Sequence, residues 1–148
     1  MSIRLSLAAC AALAVFACAG TAAFADDHAY TEGNVVQVTS IRTVDGRFDE
    51  YMKWVDTVWK TEQEAAKKAG YIVSYEVLAT DPRGPDDPDL YLVITYKNWA
   101  ALDGGLAKGD AIAKQIEGSV EAANKSQTDR SKIRRVIGTQ TMQTMNLK

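Results

Sequence analysis

Alternating apolar and polar positions along the chain predict four β-strands. Two β-rich runs over residues 35–43 and 71–79 are followed by a third over 90–96 and a fourth over 135–142. All three prolines lie in the segment 81–89 between the second and third runs, which can only be a loop. Two strands joined by one loop are typical of an antiparallel hairpin.

Two amphipathic helices are predicted between the strands. Apolar residues recur at steps of three and four over Arg47–Ala69, and Gly70 is the expected stop. A short capped helical turn is predicted over 98–102. A longer helix is predicted over 110–131, with an apolar stripe that fades towards its C-terminal end.

The element order is therefore β-α-β-β-α-β. Each half is a strand–helix–strand unit, and the handedness of such crossovers places both helices on one face of a four-stranded sheet. This predicts a ferredoxin-like α+β sandwich. The opposite sheet face would have mixed apolar and polar residues and nothing within the chain to cover it, which favours pairing with a second copy.

The N-terminus has the composition of a secretory signal peptide. MSIR is followed by an uncharged apolar run and then by small residues at Ala23 and Ala25, which predicts cleavage after Ala25. Residues 26–34 are polar and predicted to be a flexible lead-in, and 35–148 to be a single domain. The protein is thus expected to be exported and periplasmic, with no membrane association after cleavage.

A lipid anchor is the less favoured alternative for the exported protein. Cys10 follows Arg4 too closely to leave room for an apolar segment, and the bulky Phe16 precedes Cys18 where small residues are usual. The chain has two cysteines, and both lie in the predicted signal. The exported domain would therefore have no disulfide, thiolate nucleophile or cysteine-ligated metal.

Charge and motifs exclude several function classes. The net charge is −2 at pH 7 and the basic residues form no stripe, so nucleic acid is not an expected partner. The single histidine, His28, lies in the lead-in, and the acidic residues of the 81–89 loop lack calcium-loop spacing. No phosphate-binding glycine motif and no catalytic triad is present. No metal and no cofactor is predicted.

The apolar stripe of the first helix, the strand ending Thr95-Tyr96-Lys97-Asn98-Trp99 and the second amphipathic helix carry a resemblance. Over about residues 35 to 142 the chain resembles the dimeric α/β-barrel superfamily, which includes antibiotic-biosynthesis monooxygenase-like, NIPSNAP-like and EthD-like domains. The resemblance implies a homodimer with its two sheets face to face and a small-molecule pocket between sheet and helices. It does not define a reaction. Haem-degrading relatives use a helix histidine, which this chain lacks.

Aromatic residues on the predicted helix-facing side are the candidate ligand contacts. Trp59 falls in the middle of the buried stripe of the first helix, whereas Trp54 falls at its edge. Tyr75 and Tyr96 share the side of their strands that should face the helices. The candidates for an aromatic cavity are Tyr51, Trp54, Trp59, Tyr75, Tyr96 and Trp99. The alternative is that these rings fill the core.

Polar residues of the opposite strand parity are predicted to form a layer inside the dimer. Glu76 and Lys97 would pair across this layer, because an unpaired buried charge costs several kcal/mol. A minority alternative makes Glu76 a general base. The predicted layer consists of Gln37, Thr39, Ser74, Glu76, Thr95 and Lys97.

Three functions remain open from the sequence. The first is an exported domain that binds a small hydrophobic or aromatic molecule. The second is a cofactor-independent monooxygenase or isomerase, in which Tyr51, Tyr75, Tyr96 and Trp99 hold an aromatic substrate. The third is a structural homodimer without a ligand.

Overall fold

The computed structural model of the protein describes residues 28–148. The predicted signal peptide, residues 1–25, and its cleavage site after Ala25 lie outside the described residues.

Four strands form one antiparallel sheet in the order β2-β3-β1-β4. They are β1 (Tyr30–Thr43), β2 (Ser74–Ala79), β3 (Leu90–Tyr96) and β4 (Arg134–Leu147). The predicted strand positions are confirmed, but β1 and β4 are longer than expected. The reason is that the two extensions pair with each other, from Tyr30 opposite Leu147 onwards, so residues 30–34 belong to a strand.

The first predicted helix is present but contains an irregular turn. It consists of α1 (Phe48–Trp54), a π-helical turn (Val55–Trp59) and α2 (Lys60–Lys68). Gly70 follows with φ of 74°, a left-handed conformation that glycine adopts without steric cost, so the predicted stop is confirmed.

The π-helical turn decides which residues of this helix face the sheet. On a regular helix of about 100° per residue, Gln63 would lie about 120° away from Tyr51, and Glu62 only about 20° away. In the π turn each backbone hydrogen bond spans five residues instead of four, so the turn contains one extra residue. The residues after the turn are therefore rotated back around the helix axis by about 100°. As a result Tyr51, Val55, Trp59 and Gln63 are all buried.

The second predicted helix is wrong as a single element. It is divided into α3 (Gly105–Glu117) and α4 (Val120–Arg130), and it starts earlier than the predicted residue 110. Gly118, with φ of 86°, breaks it, and the Ser119 side chain accepts a hydrogen bond from the Ala122 backbone N–H at 3.0 Å to start α4. The predicted capped turn is confirmed as a 3-10 helix (Trp99–Leu102), with Asn98 as its cap.

The hydrophobic core lies between the sheet and the first helix. Ile41 pairs with Leu90, so both point to the same sheet face, and Leu92 lies two residues further along that face. These side chains pack against Tyr51, Val55 and Trp59. The predicted ferredoxin-like β-α-β-β-α-β arrangement is confirmed by this connectivity and strand order, with the second helix in two pieces.

Register corrects the predicted polar layer at Gln37 and Thr39. Gln37 lies opposite Ile94 and Thr39 opposite Leu92, so both point to the helix-facing side and not to the outer face. Towards β4 this side of the sheet is polar, and the Thr39 hydroxyl hydrogen-bonds that of Thr139 at 3.2 Å. Val36 and Val38 of β1 point outwards instead. The alternation of residues along β1 could not reveal this without the pairing register.

Candidate functional site

A cavity of about 310 Å³ lies between α2, α3, the 3-10 turn and the end of β3. Its size falls at the lower end of the range for small-molecule sites. Much of the wall is apolar and comes from Ala66, Ile72, Leu102 and Ile112. It is therefore a compact site on the helix-facing side of the sheet, where the superfamily resemblance implied a pocket.

Two glycines of α3 keep the cavity open. Gly105 and Gly109 both line it, one helical turn apart, and neither has a neighbouring atom within 4 Å of the position that a Cβ would occupy. Larger side chains at these positions would extend into the space. Part of the cavity volume therefore exists because α3 has no side chains at these two positions.

Gln63 presents an unpaired amide to the cavity. The side chain is 9% exposed, and no other described residue forms a hydrogen bond with it. The amide is not among the fully enclosed polar atoms of the described residues, so its N–H groups and its carbonyl oxygen are open to the cavity. Gln63 is therefore available to bind a polar group of a ligand.

Glu62 lies on the cavity wall beside a second carboxyl group. The pKa of Glu62 is raised to about 7 by burial and by Glu117 at the end of α3, through its charge and a hydrogen bond. The positive charge of Arg130 in α4 acts in the opposite direction. Near pH 7 this carboxyl group is present in both protonation states. It can accept or donate a proton under the same conditions.

Two tyrosines and a lysine complete the polar groups of the cavity. Tyr96 lies at the end of β3, and burial raises the pKa of its hydroxyl group, which therefore remains a hydrogen-bond donor at neutral pH. The Lys108 ammonium donates to the Ala101 carbonyl oxygen at 2.8 Å and lies 5.5 Å from the centre of the Tyr71 ring. Lys108 thus closes one side of the cavity while its charge is already in contact with protein groups.

The aromatic residues predicted from the sequence are not gathered around this cavity. Tyr51 is 1% exposed and belongs to the core with Trp59. Trp59 packs edge-on against Tyr75 with ring centres 5.4 Å apart. The Tyr75 hydroxyl donates to a Glu64 carboxylate oxygen at 2.5 Å, and this bond raises the pKa of Tyr75. These rings follow the core alternative.

Trp54 and Trp99 lie in two other places. Trp54 stacks on Tyr51 at 5.6 Å and borders an open groove between α1 and α4, with the Arg130 guanidinium 4.0 Å from its ring centre. Trp99 is 48% exposed, and its indole N–H donates to the Gln143 side-chain oxygen at 3.0 Å. Of the six predicted ligand contacts, the structure places only Tyr96 on the cavity wall.

The remaining residues of the predicted polar layer lie on or beside the outer sheet face. Ser74 and Thr95 pair with each other, and Glu76 lies opposite Val93. Lys97 is exposed just after β3. Among residues 28–148, Glu76 and Lys97 form no ion pair.

The sequence reasoning missed Glu62 and Gln63 as site residues. One signal was available, because Glu62 falls within the predicted apolar stripe of the first helix, where a carboxyl group is unusual. Gly105 and Gly109 at a four-residue spacing were a second signal. Gln63 could not be found this way, since its burial depends on the π-helical turn.

Within the part of the chain that the structure describes, no three His, Cys, Asp or Glu side chains are grouped to hold a metal ion. No helix from residue 28 onwards has the length and apolar character needed to cross a membrane.

The strand order, the antiparallel pairing and the two helical crossovers define a ferredoxin-like α+β domain. The chain is similar to the crystal structure of HapK from Hahella chejuensis (15% identity, 73% of this chain and 90% of that chain, TM-score 0.48). It is similar to protein SO0527 from Shewanella oneidensis (12% identity, 79% and 96%, TM-score 0.47). A dimeric ferredoxin-like protein from an uncultured marine organism is also similar (11% identity, 80% and 90%, TM-score 0.46). No family model and no curated protein matches the sequence.

Proposed function

We propose that the protein is an exported domain that binds a small, mainly apolar molecule in the cavity between α2 and α3. The observation that carries this proposal is Gln63, a mostly buried residue whose unpaired amide is open to the cavity. A ligand oxygen or N–H group would satisfy this amide, and the apolar wall would bury the rest of the molecule.

The polar groups define the chemistry of the ligand. Gln63 can both donate and accept, Glu62 can do either according to its protonation, and the Tyr96 hydroxyl can donate. A compact ring or chain with one or two oxygen atoms matches this set. Glu62 and Lys108 differ in charge, so the cavity does not favour a ligand of either sign.

Homodimerisation and export belong to the same proposal. The outer sheet face carries Val36, Val38, Leu78 and Met142 among polar residues, and Leu78 and Met142 are 49% and 41% exposed. A second copy placed face to face would bury these side chains. The signal-peptide pattern of residues 1–25 supports export to the periplasm.

A cavity-filling variant tests the binding proposal. Gly109→Phe places a ring in the cavity, whereas Ala107→Phe adds the same ring to an exposed position of α3 that does not line it. We expect 2-naphthol to raise the melting temperature of the natural protein and of Ala107→Phe, but not that of Gly109→Phe. Native mass spectrometry of protein purified from a periplasm should show the same difference for any ligand that it retains.

Two outcomes contradict the proposal. One is that neither 2-naphthol nor a retained ligand is found, which leaves the structural homodimer as the function. The other is that binding persists unchanged in Gly109→Phe, which places the ligand elsewhere, for example in the groove beside Trp54.

A further inference from the structure

We propose that the cavity is a proton-transfer site for small ketones, in which Glu62 exchanges a proton with the carbon next to the carbonyl group. This inference rests on the proposed function, because it requires that the cavity hold a small ligand. It adds a reaction class and assigns a role to each polar group of the wall.

Charged and polar side chains from α3, α4 and β3 surround Glu62 or line its cavity. Glu117 of α3 acts on Glu62 through its charge and a side-chain hydrogen bond, and the Arg130 guanidinium of α4 interacts with both carboxyl groups. Lys108 of α3 and Tyr96 of β3 line the same cavity. The carboxyl group therefore has one ligand-facing side and one side held by a second carboxyl group.

A base for a carbon acid must be partly ionised at the working pH and must also hold its proton well. With the pKa of Glu62 raised to about 7, both forms are populated near neutrality. A glutamate of ordinary pKa is a weaker base for the same proton. The position of Glu62 on the cavity wall, together with this raised pKa, therefore favours it as a base for proton abstraction from carbon.

Removal of the proton places negative charge on the ketone oxygen. The unpaired Gln63 amide can donate one hydrogen bond to this oxygen, and the Tyr96 hydroxyl, which lines the same cavity, can donate a second. Donors that are already held in position stabilise such charge with little reorganisation. Gln63 therefore has a reason to remain unpaired in the free protein.

The reaction is balanced without any other reactant. The Glu62 carboxylate takes the proton, the C–H bonding electrons form a C=C bond, and the carbonyl π electrons move to oxygen. When the proton on Glu62 is first replaced from solvent water, delivery of the new proton to the same carbon gives hydrogen exchange. Delivery to the far carbon of a β,γ-unsaturated ketone gives the conjugated isomer, with no oxidation or reduction in either case.

Glu117 is a positioning residue in this scheme, because it acts on the substrate only through Glu62. Its carboxylate disfavours ionisation of Glu62 and helps to keep the pKa of Glu62 high. Removing this charge should move the pH dependence of the reaction. A residue that merely holds α3 in place would not shift it.

Hydrogen–deuterium exchange at the α-carbons of cyclohexanone, followed by NMR, tests the proposal. Cyclohex-3-enone provides a second assay through the absorbance of cyclohex-2-enone. We expect Glu62→Gln to lower both rates by about 100-fold or more. Glu117→Gln should lower the pH at which the rate is half-maximal, and the matched control Glu32→Gln, on β1, should behave as the natural protein.

The proposal is overturned if cyclohexanone binds, as judged by ligand-observed NMR, but exchanges no faster than with Glu62→Gln. It is also overturned if neither ketone binds at millimolar concentration. In both cases, binding of 2-naphthol that is sensitive to Gly109→Phe would leave the proposed function standing. If 2-naphthol does not bind either, both the proposed function and the proton-transfer proposal are contradicted.

Discussion

At the scale of single residues, the environment of Glu62 has a measurable effect on folding. The carboxyl group is partly buried between two helices and faces Glu117, so its pKa rises from 4.5 to about 7. Between these values the folded chain keeps a proton that the unfolded chain has released. Raising the pH through this interval therefore favours the unfolded state.

Glu62→Gln should remove this pH dependence. The natural protein is expected to lose about 1–2 kcal/mol of unfolding free energy between pH 5 and pH 8, because each pKa unit is worth ~1.4 kcal/mol and solvent screening reduces the total. The variant should lose less and should be the more stable protein at pH 8. Urea midpoints measured across this range check the effect, and Glu32→Gln should retain the natural slope. Equal slopes in all three proteins would contradict the assignment.

Residue by residue, the sequence predicted the core better than the site. Tyr51 and Trp59 could be placed in the core because apolar spacing reports burial directly. Trp54 could be placed at the edge of the stripe, but not under Arg130, because that contact depends on where α4 starts. The polar groups of the cavity come from elements far apart in sequence, and their meeting depends on the packing of α2 against α3.

At the scale of elements, the two helices differ in how they depart from a regular helix. The first keeps its direction through a π-helical turn, whereas the second ends at Gly118 and restarts at Val120. Periodicity predicted the first as one element because a π turn changes phase without interrupting the apolar pattern. It could not separate α3 from α4, since a glycine is compatible with either a helix interior or a stop.

Two glycine substitutions distinguish these backbone roles. Neither Gly109 nor Gly118 has an atom within 4 Å of a Cβ position, so Ala introduces no clash at either position. Gly118 has φ of 86°, and Gly118→Ala should cost about 1 kcal/mol of unfolding free energy. Gly109 lies inside α3, where alanine is favoured over glycine, and Gly109→Ala should raise the unfolding free energy by about 0.5–1 kcal/mol. Chemical denaturation would contradict the account if both changes had the same sign.

At the scale of the whole molecule, the two faces of the sheet differ in their cover. The helix-facing side supplies Ile41, Leu90 and Leu92 to the core, whereas the outer side has Val36 and Val38 in its central strand. The β-α-β-β-α-β order was predictable because strand, helix and loop signals are local. The side to which each residue of β1 points was not, because it depends on pairing with β3 and β4.

Val38→Lys tests whether the outer face is a dimer interface. Val38 lies near the middle of this face, opposite Val93 and Gln140, so a lysine there would be buried without a partner in a face-to-face dimer. Light scattering should show a dimer for the natural protein and a monomer for Val38→Lys. The control Val44→Lys makes the same change at an exposed position after β1 and should remain dimeric. A natural protein that is monomeric at every concentration would contradict the proposed assembly.

The π-helical turn at Val55–Trp59 also affects how this chain must be compared with distant relatives. A protein with an unbroken helix at this place has one residue fewer over the same length. An alignment without a gap that is correct for α1 would match Glu62 to the relative's residue at the position that Gln63 occupies in space. An alignment without a gap that is correct for α2 would instead shift every residue of α1 out of phase. A single-residue gap inside the turn is needed for α1 and α2 to be compared with their counterparts at the same time.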